Sequence, residues 1–336
     1  MAQQTSDYSP ESSRYETMDY RHVGRSGLTL PAISLGFWHN FGDTGDYETM
    51  RGMCFTAFDH GITHFDLANV YGPENGSAER NAGRILREDF AGHRDELVIS
   101  TKAGYEMWPG PYGNLGSRKH LLSSLDQSLE RLGLDYVDIF YHHHLDPDTP
   151  LEETMGALAQ MVSSGKVLYI GLSNYDGETM RRAAAMLDES HTPFIINQNR
   201  YNILDRHIED NGLKQAAADL HKGLITFSPL AQGLLTDRYL HGIPRDSRVA
   251  RDGRFLHAED VQRVHDRVVR LNEIASARGQ SLAEMSLSWL LADPVVTSVL
   301  VGASNPAQIL DDLGALENTE FSAEELQNIN DIASIE

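Results

Sequence analysis

Short runs rich in Val, Ile, Leu and Phe recur along the chain at residues 34–36, 63–66, 97–101, 137–143, 167–173, 195–198, 224–227 and 298–301. Their apolar character is continuous rather than alternating, as strands of a parallel sheet covered on both faces require. Amphipathic stretches separate them. Leu121, Leu122, Leu125, Leu129 and Leu132 recur at helical spacing, which predicts a helix over 121–132. Comparable patterns predict helices over 47–60, 151–164, 177–190, 208–221, 281–292 and 306–316.

A chain that alternates strand and helix with no Pro/Ser-rich linker predicts an α/β fold, a closed (β/α)8 TIM barrel rather than an open sheet. Three features fall outside the repeat. Residues 20–23 and 28–33 flank a Gly24–Gly27 turn and predict an N-terminal β-hairpin, and two further helices are expected near 258–278 and 323–332. The polar residues 1–17 are expected to form a poorly ordered tail, leaving 18–336 as one barrel domain.

Composition narrows the partners. A formal net charge of −21, from 49 acidic against 28 basic residues, repels phosphate backbones and argues against nucleic-acid binding. No apolar run is long enough for a membrane span and no signal-like segment opens the chain, so a cytoplasmic location is the default expectation. The single cysteine, Cys54, excludes an intrachain disulfide and lies in an apolar helical stretch, where core packing is expected.

In a barrel, chemistry gathers at the carboxyl ends of the strands. There the sequence offers Phe65-Asp66-Leu67-Ala68-Asn69-Val70-Tyr71, Ser100-Thr101-Lys102 and Tyr141-His142-His143-His144, which would bring Asp66, Tyr71, Lys102 and His143 to one rim. A tyrosine is a poor acid at neutral pH, and a nearby ammonium is expected to lower its pKa toward the working range. Asp66 would hold the lysine, and His143 would hydrogen-bond a carbonyl oxygen. Any one of these could be an ordinary polar residue at a strand end, but Lys102 is one of only five lysines against 23 arginines. The three consecutive histidines do not predict a metal site, because successive strand residues face opposite ways.

FDLANVYG, STKAG and DIFYHHH resemble the Asp, Tyr, Lys and His motifs of the aldo-keto reductase family, and the likeness runs from GRSGLTLPAISLG to VLVGASNPAQILDD. Within the family, LGFWHNFG and SPLAQGLLTDRYL resemble the bacterial L-glyceraldehyde 3-phosphate reductases and the potassium-channel beta subunits. The resemblance implies Tyr71 as general acid, Lys102 and Asp66 as its tuning pair, and His143 as the residue that orients the carbonyl.

The chain has no GxGxxG after its first strand, so a Rossmann site is not indicated. Late barrel loops offer phosphate contacts instead: Phe227, Ser228, Pro229, Leu230, Ala231, Gln232 and Gly233 follow the seventh strand, and Gly302-Ala303-Ser304-Asn305-Pro306 opens a helix after the eighth. By resemblance, Ser173, Asn174 and Gln198 hold a nicotinamide carboxamide, and Phe227 stacks on its ring. Gly302, Ser304, Gln308, Asp311 and Asp312 match the adenosine segment. Arg238 and Arg248 match diphosphate and 2′-phosphate positions. NADP(H) is therefore the expected cofactor, with NAD(H) left open by the acidic Asp311–Asp312 pair. Trp38, which also matches the cofactor shell, is expected to line the substrate pocket with His39 and Trp108.

The expected reaction is NADPH-dependent reduction of a small aldehyde or ketone, such as glyceraldehyde 3-phosphate or methylglyoxal, by a homo-oligomer. Two alternatives stay open. One is a nucleotide-sensing subunit with slow turnover, which His143 argues against; the other is a Schiff-base isomerase or aldolase acting through Lys102.

Overall fold

The computed structural model describes residues 8–245, 247–251 and 256–335. Two antiparallel strands come first, β1 (Tyr20–His22) and β2 (Thr29–Pro31), pairing Tyr20 with Pro31 and His22 with Thr29. Gly24 in the turn has φ +56°, and a Cβ there would lie 2.0 Å from the carbonyl oxygen of His221, so only glycine fits.

Eight strands then form a closed parallel barrel in chain order: β3 (Ile33–Gly36), β4 (His64–Asp66), β5 (Val98–Ala103), β6 (Val137–His142), β7 (Val167–Ser173), β8 (Phe194–Arg200), β9 (Gly223–Phe227) and β10 (Val296–Val301). The last strand returns to the first, with Val299 opposite Ile33 and Val301 opposite Leu35. The predicted strands thus form, with ends moved by a residue or a few. His143, expected inside a strand, lies just past β6.

The helices are α1 (Tyr47–Asp59), α2 (Ser77–Asp89), α3 (Arg118–Leu132), α4 (Leu151–Ser163), α5 (Gly177–Glu189), α6 (His207–Asp210), α7 (Leu213–Asp219), α8 (Arg248–Arg251), α9 (Ala258–Ala277), α10 (Leu282–Leu291), α11 (Pro306–Leu313) and α12 (Ala323–Ala333). Helix α2 had no apolar signal strong enough to predict it. Its buried face includes Ala78, Ala82, Ile85 and Leu86, and the rest of the helix is charged or polar. The single helix expected over 208–221 is two, because Gly212 in the left-handed region separates α6 from α7. The two extra helices form as α9 and α12.

Of the tail expected over residues 1–17, residues 1–7 lie outside the described residues, and residues 8–17 make contacts with the barrel's helices. Tyr8 stacks on Phe55 at 3.9 Å and donates to Asp59, while Arg14 and Tyr15 both bond Glu96. The polar appearance of this segment hid aromatic and ionic anchors that lie far away in sequence.

Val23 and Leu30 of the hairpin join Ile139, Tyr141, Ile196 and Ile225 in one buried cluster, so the hairpin stoppers the end of the barrel opposite the loops that follow the strands. The larger cluster, between barrel and helices, takes in Cys54, as expected for a packing cysteine. Among the described residues no helix is long and apolar enough to cross a membrane.

Candidate active site

Strands β4, β5 and β6 end side by side, Asp66 opposite Ser100 and Lys102 opposite Tyr141, so three neighbouring strand ends deliver the candidate residues to one rim. The turn after β4 is tied to β5 by Leu67 N–H to the Ser100 carbonyl and Asn69 N–H to the Lys102 carbonyl. That tie brings Tyr71 back over the lysine.

Lys102 is wholly buried and donates three hydrogen bonds: to Asp66 Oδ2 at 2.5 Å, to the Leu67 carbonyl at 2.6 Å and to the Tyr71 hydroxyl at 3.3 Å. An ammonium has three hydrogens and no lone pair, so all are committed. Tyr71 therefore accepts from Lys102, and its own phenolic hydrogen is left for another acceptor. Asp66 is nearly as buried; its Oδ1 takes the Ser100 hydroxyl at 2.6 Å and the Gln198 amide at 3.2 Å. A carboxylate with four lone-pair directions is well matched to these donors.

The expectation that the ammonium lowers the tyrosine pKa is corrected. Burial and the Asp66 charge hold the Tyr71 phenol well above its usual value. Burial also lowers the Lys102 ammonium, against the pull of Asp66. Burial first, and the Asp66 charge after it, thus keep the Tyr71 phenol in its protonated, donor form.

His143 is buried beside this pair, its ring 6.0 Å from that of Tyr71 and nearly perpendicular to it. Burial first, then Lys102 and the neighbouring imidazoles, hold its pKa well below the usual histidine value, so it is a neutral imidazole with one N–H to give. His142 turns the other way, to the Tyr175 hydroxyl at 2.7 Å, and His144 faces the carbonyls of Gly104 and Leu145. The three rings thus diverge, and among the described residues no group of three His, Cys, Asp or Glu is placed to hold a metal ion.

The expected nicotinamide residues lie next to His143. Asn174, with φ +57°, donates from Nδ2 to the His143 carbonyl at 2.9 Å and to Ser173 Oγ at 3.2 Å, and its backbone N–H bonds the Gln198 carbonyl. This uses both amide hydrogens of Asn174 and leaves its oxygen as an acceptor, while Ser173 keeps its hydroxyl hydrogen. Donor and acceptor side by side match a primary carboxamide.

After β9, Phe227 and Ser228 stand half-buried, and Ser228, Ala231 and Gln232 all take left-handed φ of +46° to +60°. The loop's amides at Ala231, Gly233 and Leu234 are used in its own turns, so side chains must do more of the ligand contact than the sequence implied. Gln232 Oε1 is buried with no hydrogen-bond partner among the described residues, an acceptor suited to a ligand hydroxyl or N–H. Pro229 is buried, Leu230 half-buried and Gly233 has φ +96°.

Arg238 is exposed beyond this loop, and the side chain of Arg248 lies outside the described residues. At the start of α11, Asn305 caps the helix and Ser304 donates to Gln308 Oε1, with Gly302, Ser304, Gln308 and Asp311 exposed. Asp312 is buried, and burial together with Asp311 and Glu284 pushes its carboxyl up to about 7. It therefore stands apart from the exposed Asp311, and its carboxyl holds a proton far above the usual carboxylate range.

For the substrate side, Trp38 is exposed with its ring 4.1 Å from that of His39. Trp108 packs edge-on against His120 at 5.1 Å, which accounts for it as a loop anchor. Tyr105, noted in sequence only as the start of an aromatic stretch and given no role in the site, has its ring 4.6 Å from that of His143 and 4.3 Å from that of His144. The close spacing of Tyr105, Trp108 and Tyr112 after the third barrel strand was the available signal. Ser100 was also missed as a contact of Asp66.

A stoppered parallel barrel whose rim carries a buried Lys–Asp pair under a tyrosine, with a neutral histidine beside it, defines a carbonyl oxidoreductase of the aldo-keto reductase class, and the chain belongs to that family: residues 32–334 match the model described as Aldo/keto reductase family. It is 56% identical over 321 residues to the L-glyceraldehyde 3-phosphate reductase of Escherichia coli O157:H7, covering 94% of this chain and 93% of that protein. The protein of the same name in E. coli K12 is 55% identical over the same coverage. A probable voltage-gated potassium channel subunit beta of Arabidopsis thaliana is 35% identical over 306 residues, 89% of this chain and 92% of the relative. The protein is an oxidoreductase that reduces aldehydes to alcohols with a nicotinamide dinucleotide.

Proposed function

We propose that the chain reduces short aldehydes, glyceraldehyde 3-phosphate among them, with NADP(H) as the nicotinamide cofactor and Tyr71 as the proton donor. The observation that carries this is the orientation imposed by Lys102. With its three hydrogens on Asp66, Leu67 and Tyr71, Lys102 makes Tyr71 an acceptor and leaves the Tyr71 hydrogen available to a carbonyl oxygen. Bound there, the nicotinamide supplies the hydride that the protein's own groups cannot.

The residues then divide the work. Ser173, Asn174 and Gln198 present the donor and acceptors that fix a carboxamide. His143, neutral, gives its N–H to the carbonyl oxygen and so helps orient it and stabilise developing negative charge. Tyr71 transfers its proton to that oxygen, and the N–H of Lys102 stabilises the phenolate left behind. The name of the E. coli relatives supports the phosphorylated three-carbon substrate. Arg238, on the segment after β9, supports a cofactor with an extra phosphate.

The test follows NADPH absorbance with a panel of short aldehydes for the wild type and Tyr71→Phe, with NADPH affinity measured by fluorescence. Wild-type turnover that falls about 10²- to 10⁴-fold in a variant that still binds NADPH supports the reading. Turnover that survives the substitution overturns the role of Tyr71. NADPH binding without turnover of any aldehyde by the wild type favours the alternative of a nucleotide-sensing subunit.

A further inference from the structure

Below the reactive rim, a line of buried polar side chains threads the barrel toward the hairpin. Ser100 Oγ contacts Asp66 Oδ1 at 2.6 Å, and His64 Nε2 lies 3.0 Å from Ser100 Oγ. His64 Nδ1 is 2.9 Å from Ser34 Oγ, which is 2.6 Å from Ser298 Oγ, and Ser298 donates to the Pro31 carbonyl at 2.6 Å. Ser34, His64, Ser100 and Ser298 are all completely buried, in a barrel interior that could have been filled by aliphatic side chains.

Counting hydrogens orients the line. Asp66 as a carboxylate offers only lone pairs, so Ser100 must give it its one hydrogen. Ser100 then accepts from His64, which must carry its hydrogen on Nε2. His64 Nδ1 is left as an acceptor for Ser34. That leaves one hydrogen, on Ser298, between two acceptors, Ser34 Oγ and the Pro31 carbonyl. The opposite tautomer would supply the hydrogen missing at the Ser34–Ser298–Pro31 end, but it would turn the Ser100 lone pairs onto the Asp66 carboxylate at 2.6 Å, and a lone pair against a full negative charge is more repulsive than one against a neutral oxygen. We infer that His64 is a positioning residue for the reduction: fixed as the Nε2–H tautomer, it holds Ser100 as a permanent donor to Asp66, which fixes the carboxyl group in place and keeps Lys102 aimed at Tyr71.

The inference rests on the proposed roles of Asp66, Lys102 and Tyr71. Two charged groups act on His64, Asp66 favouring the imidazolium and Lys102 opposing it. Burial outweighs both and lowers its pKa to about 4, consistent with a neutral ring.

Two measurements test it. In the ligand-free protein with 15N-labelled histidine, the ring signals of His64, assigned by their loss in His64→Gln, are expected to show the Nε2–H tautomer from pH 6 to 9. The Nδ1–H form or an imidazolium over that range overturns the inference without any appeal to catalysis.

Kinetics with NADPH and glyceraldehyde 3-phosphate then compare four variants. The glutamine of His64→Gln can donate from its amide and accept on its oxygen, as the tautomer does, and is expected to keep kcat within a few-fold. His64→Leu and Ser100→Ala remove the donor chain to Asp66, so kcat is expected to fall about tenfold or more at unchanged KM and NADPH affinity. If His64→Leu does not fold, Ser100→Ala still decides. Full kcat in Ser100→Ala, with Tyr71→Phe inactive, overturns the inference and leaves the catalytic reading standing. A loss in His64→Gln as deep as in Ser100→Ala also overturns it, since His64 would then be carrying a proton rather than positioning one. Activity retained in Tyr71→Phe sinks the catalytic reading itself.

Discussion

The Lys102 ammonium donates to the Tyr71 hydroxyl across 3.3 Å from a position with no solvent exposure, and its remaining hydrogens go to Asp66 and the Leu67 carbonyl. A flexible side chain is thereby converted into a fixed donor, and the direction of the Tyr71 proton follows from it. Lys102 is also a poor Schiff-base nucleophile in this setting, because its nitrogen is enclosed and fully hydrogen-bonded.

Lys102→Met isolates the Asp66 charge. Breaking a buried ion pair by removing one partner costs about 3–5 kcal/mol, so chemical denaturation is expected to show a large loss of stability, alongside a kcat about 10²-fold lower or worse. The double variant Asp66→Asn, Lys102→Met is expected to regain much of the stability and none of the activity. Recovery of activity in the double variant would contradict the assignment.

A second buried pair stands behind the site. Glu79 on α2 is fully buried, takes the Thr101 hydroxyl at 2.5 Å and pairs with Arg131 of α3 at 2.7 Å. Arg131→Met is expected to destabilise the protein by about 3 kcal/mol with kcat little changed, because Thr101 faces away from the rim. Thermal unfolding and a kinetic assay read the two effects separately.

Stability is expected to fall in mild acid for an identifiable reason. His64 and His142 are buried, with pKa values lowered to about 4 and about 3. Between these values and 6.5 the unfolded chain binds protons that the folded protein refuses, so their contribution is complete above pH 6.5 and is lost as pH falls. His64 alone accounts for up to about 3 kcal/mol of this change. Calorimetry from pH 7 to 4.5 is expected to show a shallower decline in His64→Gln than in the wild type.

Asp312 has the opposite sign. Its carboxyl is raised to about 7, so the folded state keeps a proton that the unfolded state has lost, and stability from this group falls as pH rises through 7. Asp312→Asn is therefore expected to raise Tm at pH 8 and to lose its advantage toward pH 4. Equal melting of the two proteins at pH 8 would mean that Asp312 is better solvated than its burial indicates.

Gly171 makes room for Tyr141 inside the barrel. A Cβ there would come within 2.3 Å of two ring carbons of Tyr141, and that ring's centroid is 5.7 Å from Lys102 Nζ. Gly171→Ala is expected to cost about 1–3 kcal/mol through overpacking and to lower kcat by displacing the ring toward the Lys102–Asp66 pair. Unchanged kcat with reduced Tm would confine the effect to packing.

The sequence by itself determined the barrel and the identity of the rim residues. Parallel strands covered on both faces are written as continuous Val/Ile/Leu runs, and strand ends are where a barrel exposes side chains, so Asp66, Lys102 and His143 were legible from position alone. Helix α2 escaped because its contact with the barrel uses Ala78 and Ala82, which carry little hydrophobic signal, and Tyr8 escaped because its partners Phe55 and Asp59 are remote in sequence. Only the tertiary structure decided the protonation of the site. A motif places an ammonium near a phenol but does not show how completely each is removed from water or where each hydrogen goes. Burial of Tyr71, with the Asp66 charge beside it, turned the expected lowering of its pKa into a rise, and Ser100 and His64, given no role from sequence, became the line beneath Asp66 because two neighbouring strands, β4 and β5, bring them together.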